Sequence, residues 1–138
     1  MKGVGFSFVS VLALTCIAAC SEAPLTLTSP ASVTHVNVTD ENGFHVLKRI
    51  DSASDITRII RFAEEHRSGW TAPLAGVPVP HLQAIFYDRQ KCVGHFGVGP
   101  GFFETDLAGD YFRSRRASDS ETKTFLALID MQGASLYK

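Results

Sequence analysis

Five histidines, at positions 35, 45, 66, 81 and 95, and the cysteine at position 92 are the residues of this 138-residue chain best suited to metal or acid-base chemistry. Cys92-Val93-Gly94-His95 has the C-x-x-H spacing of half a zinc site, but no second half follows. On a regular strand that spacing also sends the two side chains to opposite faces. No two histidines stand at H-x-x-x-H, so no metal site and no cofactor is expected. Nucleophilic chemistry fares little better. No G-x-S-x-G is present, and Ser68-Gly69 reads as a helix end. Triads occur in several chain orders, so a hydrolase survives as a third-ranked reading. It would need a histidine within hydrogen-bond reach of both a carboxylate and a serine or Cys92. The run GHFGVGPG resembles a phosphate loop only in its glycines. A phosphate cradle opens a helix, whereas Phe102-Phe103 and the acids Glu104 and Asp106 follow here. A strand with a bulge or tight turn fits better.

Two segments could bind rather than react. Trp70 stands before Pro73, Pro78 and Pro80, and prolines lower the ordering cost of a loop while Trp often anchors an interface. The competing expectation is that Trp70 closes the core behind a helix. The second segment, YFRSRR, carries Tyr111, Phe112, Arg113, Arg115 and Arg116. Arginine forks grip carboxylates or phosphates, so an acidic protein or an anionic headgroup is a candidate partner, against a plain solvated strand edge. The aromatics Phe96, Phe102, Phe103 and Tyr111 would instead line a small-molecule or cell-wall-fragment pocket, the second-ranked reading.

The elements that position these residues follow from periodicity. Val36 and Val38 alternate up to Asp40-Glu41-Asn42-Gly43, and Phe44, Val46 and Leu47 follow, which predicts a hairpin. Ser52, three residues before Asp55, starts a helix whose apolar face is Ile56, Ile59, Ile60 and Ala63, with Gly69 as its stop. HLQAIFYD and CVGHFGVG are strands about a turn at residues 88–91, and the stretch through YFRSR adds one or two more. Ser118 and Glu121 form a capping box for a last helix bearing Phe125, Leu126 and Ile129, ending near Gly133. Cys92 is expected to be buried in its strand. The order β-β-α-β-β-(β)-α predicts an α+β fold: an antiparallel sheet with two helices packed on one face.

Ahead of this domain, Lys2 is the only charge before Glu22, and an apolar run ends at Ile17-Ala18-Ala19-Cys20. The run is shorter than the roughly 20 apolar residues that span a bilayer and has the layout of an export signal. Ile17 to Cys20 resembles the lipobox of bacterial lipoproteins, and the resemblance covers residues 1–20 only. It implies cleavage before Cys20, a diacylglyceryl thioether on its sulfur and usually an acyl group on the new amine. Ser21 follows the cysteine where aspartate would signal inner-membrane retention. In a Gram-negative envelope the resemblance therefore implies the outer membrane, facing the periplasm. Residues 1–19 would be the signal peptide. Residues 20–32, rich in Ser, Thr, Pro and Ala, would be a tether reaching up to about 40 Å, and residues 33–138 one domain.

Lys2 is the only charge lost with residues 1–19, leaving 12 of the 13 basic side chains against 14 acidic ones. That balance excludes an electrostatic nucleic-acid binder or a polybasic membrane-surface protein. With Cys20 acylated, Cys92 has no partner for an internal disulfide, so the domain must rest on its core. The leading expectation is a lipid-anchored, non-catalytic envelope protein that binds another protein, in the manner of an inhibitor, immunity factor or assembly accessory.

Overall fold

The structure, a computed structural model, describes residues 32–72, 75–76, 78–107 and 112–136. The lipobox, Cys20 and the tether up to residue 31 lie outside the described residues, as does Tyr111. Six strands and two helices run in the order β1 (His35–Asp40), β2 (Val46–Ile50), α1 (Ala53–Glu65), β3 (Leu82–Asp88), β4 (Lys91–Gly99), β5 (Phe102–Thr105), β6 (Arg113–Arg116) and α2 (Asp119–Leu128). The strands form one sheet in the order β2-β1-β3-β4-β5-β6, antiparallel throughout. The α+β expectation holds, and the segment after β4 supplies two strands.

Local chemistry sets the element ends. Gly43 takes a φ of 71° in the β1–β2 turn, a conformation that costs glycine nothing. Ser52 caps α1 by accepting the Asp55 N–H, and Ser118 forms a complete capping box with Glu121 at α2. α2 stops earlier than Gly133. Asp130 adopts a φ of 56°, and the Met131 N–H turns back to the Leu126 carbonyl at 2.7 Å. That left-handed residue ends the helix in the way glycine often does.

One face of the sheet buries Val36, Val38, Ala84, Phe86, Phe96, Val98 and Phe103 under both helices. α1 brings down Ile56, Ile59, Ile60 and Phe62, and α2 brings Phe125. The rings of Phe62, Phe96, Phe103 and Phe125 meet pairwise with centroids 5.0–6.0 Å apart, inside the range in which aromatic pairs attract. These phenylalanines are therefore core. Phe96 and Phe103 do not wall a ligand pocket, which corrects that part of the small-molecule expectation.

β4 departs from regular pairing. Phe86 pairs with Gly94 but Tyr87 with Cys92, so Val93 is an extra residue and the strand bulges. Gly94 holds a φ of 141° there, and a side chain would run into Leu107 and Asp106. Regular alternation from Phe96 back through Gly94 would bury Cys92. The extra residue turns it outward, and Cys92 is an exposed free thiol. The bulge also overturns the opposite-face expectation. Cys92 pairs with Tyr87 and His95 with Ile85, so both lie over the helix-free face.

Candidate functional site

The densest group of ionisable side chains sits on that helix-free face, where the hairpin at Pro100-Gly101 folds β5 back on β4. The register sets Gly97 opposite Glu104 and Phe96 opposite Thr105, with His95 and Asp106 just beyond the last pair. His95 Nε2 lies 2.7 Å from Glu104 Oε1, and Nδ1 lies 3.0 Å from Asp106 Oδ1. The same Asp106 oxygen accepts the His95 backbone N–H at 2.6 Å. Thr105 Oγ1 donates to the His95 carbonyl at 2.7 Å and accepts the Leu107 N–H at 3.1 Å, so the turn after β5 is clamped to β4.

Burial sharpens the electrostatics. Glu104 is 1% exposed and the His95 side chain 12%. A methyl at position 97 would overlap both Pro80 and the Glu104 carboxylate, so only glycine lets the proline close down over the acid. The Phe112 ring stands 5.7 Å from the His95 ring. Burial works against a charge on His95. The hydrogen bonds and charges of Asp106 and Glu104 outweigh it, and the imidazolium pKa is pushed up to about 9. Burial likewise works against the Asp106 carboxylate, but the bond from His95 holds it below its usual range. An imidazolium with both nitrogens donated to carboxylates has no free nitrogen to take a proton from a nucleophile or to bind a metal. Its chemistry is that of a charged cross-link between β4 and β5. Among the described residues no set of three His, Cys, Asp or Glu side chains is placed to hold a metal ion.

The expected binding residues scatter. Trp70 is 1% exposed, its indole N–H donates to the His66 carbonyl at 2.6 Å and its ring meets Phe96 at 5.7 Å. It is a core residue closing the end of α1, which corrects its assignment as a surface anchor. Trp70→Ala is accordingly expected to cost about 3–5 kcal/mol in a denaturant titration. A loss below about 0.5 kcal/mol, ordinary for a surface position, would return Trp70 to the surface.

Arg115 is also internal. Its guanidinium pairs with Glu121, reaches the Ser68 carbonyl at 3.5 Å and lies 5.9 Å over the Phe103 ring, with 12% of the side chain exposed. Glu121 gathers the Ser118 N–H at 2.7 Å, the Ser118 hydroxyl at 2.9 Å and His66 Nε2 at 3.4 Å. The Ser118 backbone N–H above all, helped by Ser118 Oγ and Arg115, holds its carboxyl below the usual range. Arg115 therefore ties β6 to α2 and to the segment that follows α1, and its guanidinium is engaged within the chain rather than held out at the surface. Arg113 is half-buried and Arg116 exposed at the β6 edge.

Residue type alone does not reveal a group of exposed apolar residues. Phe44 is 86% exposed, Val46 55% and Leu47 50%, all in the β1–β2 hairpin, while Val79, 66% exposed, stands apart in the loop before β3. Their alternation was legible, but not that β2 would be the last strand of the sheet. Lys48 on β2 pairs with Asp130, and Arg49 pairs with Asp51 at 2.8 Å. Beside Leu47 a cavity of about 510 Å³ is lined by Asp40, Glu41, His81, Leu82 and Met131. Taken as a class, the chain is a two-layer α+β domain with a cross-linked helix-free face and an apolar sheet edge. Comparison with protein families, with curated proteins and with solved structures finds no match to it.

Proposed function

We propose that the mature chain is a lipid-anchored, non-catalytic module of the bacterial cell envelope that binds another protein. Acyl chains on Cys20 would hold it at a membrane, the outer membrane facing the periplasm in a Gram-negative host. The observation that carries the binding role is the exposure of Phe44 in the β1–β2 turn and of Val46 and Leu47 on the terminal strand β2. The core has ample apolar residues of its own, so burial in the domain does not account for these three. Contiguous exposed apolar residues mark contact surfaces. The anchor rests on Ile17-Ala18-Ala19-Cys20, and tethering raises the effective concentration of a binding domain near partners at the same membrane.

Chemical crosslinking in native envelopes tests the reading. The wild type is expected to yield a discrete product with a second protein. The Phe44→Ser/Leu47→Asp double variant should lose most of it while its stability shifts by no more than about 0.5 kcal/mol per site. Recovery of uncrosslinked chain alone from wild-type envelopes would contradict it.

A further inference from the structure

The two edges of the sheet are not equivalent. At β6 the edge is closed, because Thr71 bridges Ser114 through two backbone hydrogen bonds of 2.9 and 3.0 Å. At β2 no strand of the described residues pairs with the outer edge. Exposed edges are normally defended by charge, proline or a bulge. β2 does bulge, since Val38 pairs with Lys48 but Thr39 with Val46, leaving Leu47 as the extra residue. Its two cations are engaged within the chain by Asp130 and Asp51. What remains facing outward is apolar.

Leu47 also borders the cavity of about 510 Å³, a volume in the range of ligand pockets. Its lining is apolar at Leu47, Leu82, Met131 and Ala134, and its charged members are Asp40 and Glu41, with no lysine or arginine among the lining residues. His81 contributes a buried Nδ1 without a hydrogen-bond partner. An open edge beside a side-chain pocket is the layout of strand addition, where backbone bonds supply affinity and the pocket supplies selectivity.

Resting on the binding role proposed above, we propose that the outer edge of β2 receives an extended segment of a different protein. An apolar side chain of that segment enters the cavity beside Leu47, and a neighbouring lysine or arginine meets Asp40 and Glu41. A second copy of this chain fits less well. Antiparallel self-pairing of Val46–Ile50 centred on Lys48 sets that lysine against its own copy, and like charges directly opposed destabilise a strand pair. The copy's Lys48 and Arg49 are moreover already ion-paired and not free for Asp40 and Glu41.

The test places a photo-crosslinking amino acid at Leu47 and, separately, at Arg116 of the full chain in its native host, and maps products to the residue by mass spectrometry. A heteromeric product at position 47 is expected, in a partner segment with a lysine or arginine within about three residues of the attachment point. A synthetic peptide of that segment should then bind the purified protein, lose at least about tenfold in affinity to Glu41→Lys, and regain it when its basic residue is replaced by glutamate. Products at position 116 but not 47 would overturn the edge assignment and leave the binding role standing. A product between two copies of this chain at 47, or a peptide indifferent to Glu41→Lys, would overturn it likewise. No product at either position would overturn the binding role itself.

Discussion

A His95→Ala variant is expected to lose about 3–5 kcal/mol of folding stability at pH 7, the loss typical of breaking one side of a buried ion pair. The substitution removes the imidazolium and leaves Glu104, 1% exposed, with its charge uncompensated beneath Pro80. Set against a typical small-domain stability of roughly 5–15 kcal/mol, the loss is large. The variant also lacks the His95 bond that holds the Asp106 carboxyl below its usual range, so the deficit relative to wild type should shrink as pH falls below 3.8.

The wild type should carry a matching pH signature. His95 has its folded pKa raised to about 9 from the ordinary 6.5. A group shifted upward on folding contributes stability in full below its unfolded pKa and loses it as pH rises through the folded value. Stability should therefore be flat at mildly acidic pH, fall from about pH 6.5 and level off beyond pH 9, by on the order of 3 kcal/mol in all. Asp106 is shifted downward, so its contribution is present above the ordinary carboxyl value of 3.8 and disappears as pH falls below it. Urea titrations at pH 3, 5, 7 and 9 check both claims. A His95→Gln variant should flatten the decline between 6.5 and 9, and an undiminished decline in that variant would show that another group causes it.

Much of this arrangement was readable before the fold was in hand, and the unread part has a definite physical origin. Both helix starts followed from side chains acting on the backbone within one turn, Ser52 on Asp55 and Ser118 on Glu121. The β1–β2 hairpin followed from Asn42-Gly43, because only the next few residues decide a turn. The Glu104–His95–Asp106 cross-link depends on register across two strands. A hairpin closing at Pro100-Gly101 pairs position 97 with 104 and 99 with 102, and continuing that count two residues back from Gly97 brings His95 beside Asp106. That arithmetic was the available signal. Cys92 was misplaced for a related reason, since strict alternation assumes one residue per step and the unpaired Val93 adds one. Trp70 and Arg115 were offered as surface anchors because residue type does not reveal that Trp70 meets Phe96 and that Arg115 meets Phe103 and Glu121.

The largest expected effect on behaviour in the cell comes from Cys20, outside the described residues. In the proposed reading its thiolate takes the diacylglyceryl group of a membrane phospholipid, whose phosphorylated headgroup leaves; hydrolysis of the peptide bond before it frees the amine, and further acylation completes the anchor. One acyl chain binds a membrane only marginally, and two or more make the attachment stable at about 0.8 kcal/mol per buried methylene. Cys20→Ala removes the only sulfur at the end of the lipobox, so incorporation of labelled palmitate should fall to background. Cys16 offers no substitute, because Thr15 stands where the lipobox has a small apolar residue.

The direct measurement is the mass of the amino-terminal peptide of the protein extracted from native membranes. The expected product is a chain beginning at Cys20 and heavier than the bare sequence by a diacylglyceryl group and an amide-linked acyl chain. An unmodified thiol at Cys20, or a chain beginning at any other residue, would contradict it.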